Sequence, residues 1–164
     1  KLRRSLAKAG RVEAVWAGKR KQLGNLSLTV LHPETDRVGT RPGTDTLNNN
    51  SVVVKAAYAY SQFLFPGDCE LGCWEELFRN RRAELRADVL KAAHHGAQDG
   101  TNSGVLINVR PGTLVISCGR NNDYHHPHGV VLALAQKLGT QVLRTDMGGS
   151  IRCVGTQCAA LSPQ

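Results

Sequence analysis

At 164 residues the chain is about one domain's worth of sequence, enough to enclose a sizeable core. No uninterrupted apolar segment approaches the roughly 20 residues of a membrane span and no signal-peptide pattern is present, so the sequence reads as soluble. The formal charge of +8 excludes no nucleic-acid partner, but residues 1–22 carry eight Lys or Arg against the single Glu13 and leave only +1 for the rest.

In chain order, Lys1, Arg3, Arg4 and Lys8 fall on an expected helix ending at Gly10, and Arg11, Lys19, Arg20 and Lys21 surround a strand-like run over 12–16. These cations form either a solvated face or a phosphate contact. Leu26, Leu28 and Val30 alternate with Ser27 and Thr29, predicting a half-buried strand over 26–31 that closes at His32-Pro33. A loop rich in Thr, Gly, Asp and Asn covers 34–50. Residues 51–57 and 62–65 read as an antiparallel pair, stopped by Pro66-Gly67.

Leu71, Trp74, Leu77 or Phe78, and Leu85 recur at helical spacing and predict a helix over 70–86, with its arginines balanced by Glu75, Glu76 and Glu84. A buried strand over 87–96 follows and delivers His94 and His95 before Gly96 turns the chain. Thr101 is the expected cap of a short helix reaching about residue 109, and Pro111-Gly112 leads into a strand over 113–117. After a loop over 119–128, Val131, Leu134 and Leu138 mark a helix ended by Gly139. A strand over 141–144, a turn at 147–149 and a last strand over 150–154 complete the order: a β-rich first half and a β-α-β second half.

The five cysteines are odd in number and show no zinc-ribbon spacing. Most are expected as small buried hydrophobes, with a Cys153–Cys158 disulfide as the alternative for the last two.

Chemistry concentrates in three loops, each placed just past a strand. Asp68 follows an apolar strand and a Pro-Gly turn, and its two oxygens can bridge two divalent metals while histidine nitrogens complete the shells. The His94-His95 pair is either a ligand pair or a hydrogen-bonded turn. His126 shares its loop with Asn121, Asn122, Asp123 and Tyr124, a polar set suited to holding phosphate or water, and His128 is either part of that set or a helix cap. Five of the six histidines fall in the last two of these clusters.

The chain resembles the metallo-β-lactamase-like domain at the C-terminus of the ComEC competence proteins, the DNA-uptake channels of bacteria. The resemblance is carried collinearly by Leu28-Thr29-Val30-Leu31-His32-Pro33, Asn48-Asn49-Asn50-Ser51, Phe63-Leu64-Phe65-Pro66-Gly67-Asp68 and Lys91-Ala92-Ala93-His94-His95-Gly96. It continues through Ser117-Cys118-Gly119-Arg120-Asn121-Asn122-Asp123-Tyr124-His125-His126-Pro127-His128 and Arg144-Thr145-Asp146. Two mild departures are Pro66 where the family usually has Thr, and Ala97 where it has Ser. The family's N-terminal cluster of the type His-x-Asp-x-Asp-His has no counterpart here, so residues 1–164 are expected to be one such domain beginning inside the fold.

The resemblance implies an α+β fold, the metallo-β-lactamase αββα sandwich of two mixed sheets flanked by helices, represented by its C-terminal portion. It implies a pair of divalent ions, Zn²⁺ or Mn²⁺, on Asp68, His94, His95 and His126, with Asp68 and His95 catalytic. Asn50, Ser51, Lys91, Arg120, Asn121, Asn122, Tyr124 and His128 are the implied substrate contacts. The implied function is a metal-dependent phosphodiesterase or nuclease acting on DNA, attached to a membrane-embedded uptake protein of the bacterial inner membrane. The alternatives are a non-catalytic structural or DNA-contacting module of the same fold, and a generic hydrolase of that fold.

Overall fold

The computed structural model describes residues 13–34 and 47–161. The expected helix over 1–10 and most of the 34–50 loop lie outside them. The class is α+β: a seven-stranded mixed sheet, a two-stranded sheet and flanking helices.

The large sheet runs in strict sequence order. Its first part is an antiparallel meander, β1 (Arg20–Leu23), β2 (Leu26–His32), β3 (Val53–Tyr58) and β4 (Ser61–Phe65). From β4 the pairing turns parallel through β5 (Val89–Lys91), β6 (Thr113–Ile116) and β7 (Gln141–Arg144). Parallel neighbours need long crossovers, and each is helical: α1 (Leu71–Asn80), α2 (Ser103–Val109) and α3 (Gly129–Lys137). Because parallel strands all end at the same edge of the sheet, the loops after β4, β5 and β6 gather there.

Register explains the core. Leu64, Leu90 and Leu114 lie side by side across the parallel strands, and all are fully buried. They join Trp74 and Leu77 of α1, Val105, Leu106 and Val109 of α2, and Val131 and Ala135 of α3 in a single cluster. All three helices therefore pack through one hydrophobic layer. Trp74 is the largest member; it stacks on Phe78 and donates from Nε1 to the Gly100 carbonyl at 2.7 Å, which ties the loop after the two histidines to the core.

Several sequence expectations change in the folded chain. Residues 13–16 form no strand; Trp16 to Lys19 turns instead, with Gly18 at φ +90°, and the strand begins at Arg20. All four residues of β1 are exposed, so the strand carries no alternation to read. The helix expected over 70–86 ends at Asn80, and Leu71, counted in its apolar stripe, is exposed. Leu85 reaches the core through a 3-10 turn at Arg82–Glu84.

Thr101 does not cap α2. Asn102 does, accepting from the Val105 N–H, while the buried Thr101 hydroxyl donates to the Ala93 carbonyl. The turn expected at 147–149 is a helical turn, Thr145–Gly148, and the last strand, β8 (Ile151–Val154), is followed by β9 (Gln157–Ala160) in a hairpin. Cys153 and Cys158 face each other directly across it and are bridged. Cys69 and Cys73 are bridged as well, which replaces their expected role as isolated buried thiols; Cys118 is free.

Two predictions follow from this packing. Trp74→Phe keeps an aromatic ring in the core but leaves the Gly100 carbonyl without its donor, so urea unfolding should show a loss of about 1–3 kcal/mol. Asp146 is held below its ordinary value of 3.8 by the two hydrogen bonds from Arg144, at 3.0 and 2.6 Å. A depressed carboxyl contributes stability above its unfolded pKa and loses it as pH falls through the folded one. Asp146→Asn should therefore cost about 1–2 kcal/mol at neutral pH, and the two proteins' urea midpoints should converge in acid.

Candidate metal and phosphodiester site

Asp68 is set by its backbone. Pro66 and Gly67, at φ +59°, end β4, and the Asp68 N–H donates to Ser51 Oγ at 3.1 Å. The Ser51 carbonyl lies 2.8 Å from Nδ1 of the buried His32, whose Nε2 is 3.0 Å from Glu76. His32, the one histidine outside the two clusters, is thus a strut beneath the site. Ser51, expected to contact substrate, is occupied in supporting Asp68, and Asn50 beside it is half-buried at the end of the 3-10 turn Leu47–Asn50.

His94 and His95 do not lie on a strand. β5 stops at Lys91, and the histidines adopt left-handed conformations, φ 45° and 56°, ahead of Gly96 at φ +88°. Such backbone is costly for residues with a Cβ and persists only where the surroundings enforce it. The enforcement is visible at Gly96: a Cβ there would meet Pro127 Cβ at 2.7 Å, and the Gly96 carbonyl accepts from the His128 N–H. The His-His-Gly turn is therefore pressed directly against His126-Pro127-His128.

On a strand, alternation would have sent the two side chains to opposite faces. Both side chains are used, toward different partners. His95 Nδ1 lies 2.6 Å from the Ser117 carbonyl, which assigns it the proton, and Nε2 is turned to Asp68 Oδ1 at 3.7 Å. His94 Nδ1 instead lies 3.1 Å from Glu70 Oε1 and 3.8 Å from Asp99 Oδ1.

His126 sits between these groups, its ring edge-on to His94 and His128 and stacked with the exposed Tyr124. Burial, reinforced by the neighbouring imidazoles of His128, His94 and His95, pushes its pKa down and favours the neutral ring that binds metals. His95, Ser117, Cys118, Asn122, Tyr124 and His126 line an open cleft of about 330 Å³. Within its wall the pKa of the Cys118 thiol is pushed up by burial and by a hydrogen bond with Asp146, which favours the neutral thiol.

The remaining expected contacts divide. Asn122 holds the His126 loop together, donating to the Gly119 and His126 carbonyls and accepting from the His126 N–H. His128 precedes α3 without capping it through its side chain, and its Nδ1 accepts from the Gln98 N–H at 3.2 Å. Lys91 is half-buried at the end of β5; desolvation lowers its pKa, against the pull of the Asp68 charge. Arg120 is exposed and donates from Nε to the Asp146 carbonyl, and Asn121 is exposed at φ 50°.

Sequence reasoning missed Glu70, Asp99 and Ser117. Glu70 stands two residues past Asp68 and was indistinguishable from a helix-start acid, while Ser117 acts through its backbone carbonyl, which no side-chain pattern reveals.

No protein-family model matches the chain. It is 36% identical over 141 residues to ComE operon protein 3 of Bacillus subtilis, covering 86% of this chain and 17% of that protein. It is 30% identical over 105 residues to Recombination protein 2 of Haemophilus influenzae, covering 64% and 13%, and 32% identical over 106 residues to Competence protein ComA of Neisseria gonorrhoeae, covering 64% and 15%. The chain thus spans between about one eighth and one sixth of the length of these homologues. What it resembles is one segment of much larger proteins, two of them named for recombination and for competence.

Proposed function

We propose that this chain is a metal-dependent hydrolase unit that cleaves phosphodiester bonds of DNA during competence-type DNA uptake. The observation that carries this reading is the arrangement of His95: its Nδ1 is fixed on the Ser117 carbonyl, so Nε2 presents a lone pair toward the Asp68 carboxylate at the mouth of a polar cleft. A ligating histidine characteristically donates its other ring N–H to a carbonyl or carboxylate in this way. The donor set, imidazole nitrogen with carboxylate oxygen, fits Zn²⁺ or Mn²⁺.

In this reading Asp68 and His95 hold divalent metal, with His126 and His94 adjoining. A bound ion supplies an acidified water and polarises a phosphoryl oxygen. The chain's own residues do the rest. Ser51 fixes the backbone of Asp68, and Asn122 fixes that of His126. Tyr124, 75% exposed beside the cleft, offers a ring on which a nucleobase of a single strand can stack, while Arg120 and Lys91 supply positive charge for the phosphate. The similarity to proteins named for competence and recombination supports DNA as the substrate class.

No helix among the described residues is long and apolar enough to cross a membrane; the partner proposed here is a membrane-embedded uptake protein.

In the full-length gene product, Asp68→Asn should lower hydrolysis of labelled DNA by about 100-fold or more with an unchanged circular dichroism spectrum. EDTA should abolish hydrolysis in the unsubstituted protein, and Zn²⁺ or Mn²⁺ should restore it. DNA affinity should fall steeply with salt as phosphate contacts release counterions. Hydrolysis that survives both Asp68→Asn and EDTA would overturn the assignment, and folded, DNA-binding protein without hydrolysis would favour the non-catalytic module.

A further inference from the structure

We infer that Glu70, His94 and Asp99 form a divalent-cation site whose ligand set is complete within this chain and distinct from the Asp68–His95 pair. The inference goes beyond the hydrolase reading and does not depend on it. One ligand atom from each of the three residues lies within 4.8 Å of the others, and all three residues are partly buried. The atoms His94 Nδ1 and Asp99 Oδ1 are themselves buried and have no hydrogen-bond partner among the described residues, although the side chains as a whole are 27% and 45% exposed.

An imidazolium paired with the two carboxylates would account for the distances but not for the alignment. His94 Nδ1 is only 3.1 Å from Glu70 Oε1, yet the two atoms do not form a hydrogen bond. A shared proton must lie close to the line between donor and acceptor. A metal ion lies off that line, at the apex of a triangle. With bonds of about 2.1 Å, ligand atoms 3.1 and 3.8 Å apart subtend roughly 95° to 130°, which brackets tetrahedral geometry. An ion there would also bond both atoms, which otherwise face each other at 3.8 Å without a hydrogen bond.

The ligands are held in advance. Glu70 is bracketed by the Cys69–Cys73 disulfide, and its Oε1 also accepts from Asn48 Nδ2 at 2.6 Å, an outer contact of the kind that orients metal ligands. Asp99 belongs to a tight loop closed by Ala97 N–H on the His94 carbonyl and Thr101 N–H on the Ala97 carbonyl. Gly100 lets that loop approach, since a Cβ there would meet His94 Cβ at 2.9 Å. One imidazole and two carboxylates leave room for water in the shell, and such a set should bind Zn²⁺ more tightly than Mn²⁺.

The test is calorimetric titration of the chain with Zn²⁺ and with Mn²⁺, paired with thermal unfolding. The expected result is an ion that survives Asp68→Asn and is weakened about 10-fold or more by Glu70→Gln and by Asp99→Asn, with the unfolding midpoint raised by Zn²⁺ only where the ion binds. Circular dichroism of the metal-free variants checks their folding. Loss of an additional ion in Asp68→Asn would report on the Asp68–His95 pair alone and leaves this ion in place. The inference is overturned if no ion binds, if every bound ion is lost in Asp68→Asn, or if Glu70→Gln and Asp99→Asn bind as the unsubstituted chain does.

Discussion

The contact on which the site depends is the approach of Gly96 to Pro127. Two loops that follow neighbouring parallel strands must cross at the sheet edge, and at that crossing there is no space for a side chain: a Cβ on residue 96 would lie 2.7 Å from Pro127. The backbone at 94–96 is consequently left-handed through three successive residues. This unusual geometry sends the two imidazoles to different partners, one toward Asp68 and one toward Glu70 and Asp99. A regular strand would have sent them to opposite faces of a sheet, one of them away from the cleft.

Around this crossing, polar groups serve in two capacities. Some face the cleft; others spend their hydrogen bonds on holding those that do. Ser51, Asn122 and Thr101 belong to the second kind, each using side-chain atoms to secure the backbone beside Asp68, His126 and His94 respectively. The buried His32 adds a deeper layer, bracing Ser51 from below. Such supporting shells are what keep ligand atoms within the narrow tolerances that metal binding or catalysis demands.

The Cys69–Cys73 bridge has a similarly local effect. A crosslink spanning so few residues removes little entropy from the unfolded chain compared with one that closes a long loop. Its consequence is positional: it fixes the entry into α1, the segment that carries Asp68 on one side and Glu70 on the other. The Cys153–Cys158 bridge plays the equivalent part in the terminal hairpin, joining directly opposed residues.

Elements with strong periodicity were legible in the sequence: the β3–β4 pair, α3 and the strand Gln141–Arg144 emerge close to where their apolar patterns place them. So were the three loops that bear the chemistry, because Asp68, His94, His95 and His126 each follow an apolar run or a turn signal that ends a strand or opens a loop. Boundaries were less readable where an element is short or wholly exposed, as in the three-residue β5 and the solvent-facing β1, since neither shows enough alternation. The partners of the histidines belong to the tertiary structure alone. Ser117 offers a carbonyl that every residue has, and Glu70 and Asp99 look like ordinary surface acids until the crossing at Gly96 turns His94 between them. Sequence spacing encodes which chemical groups the chain carries, whereas the direction each one faces is set by steric exclusion between loops far apart along it.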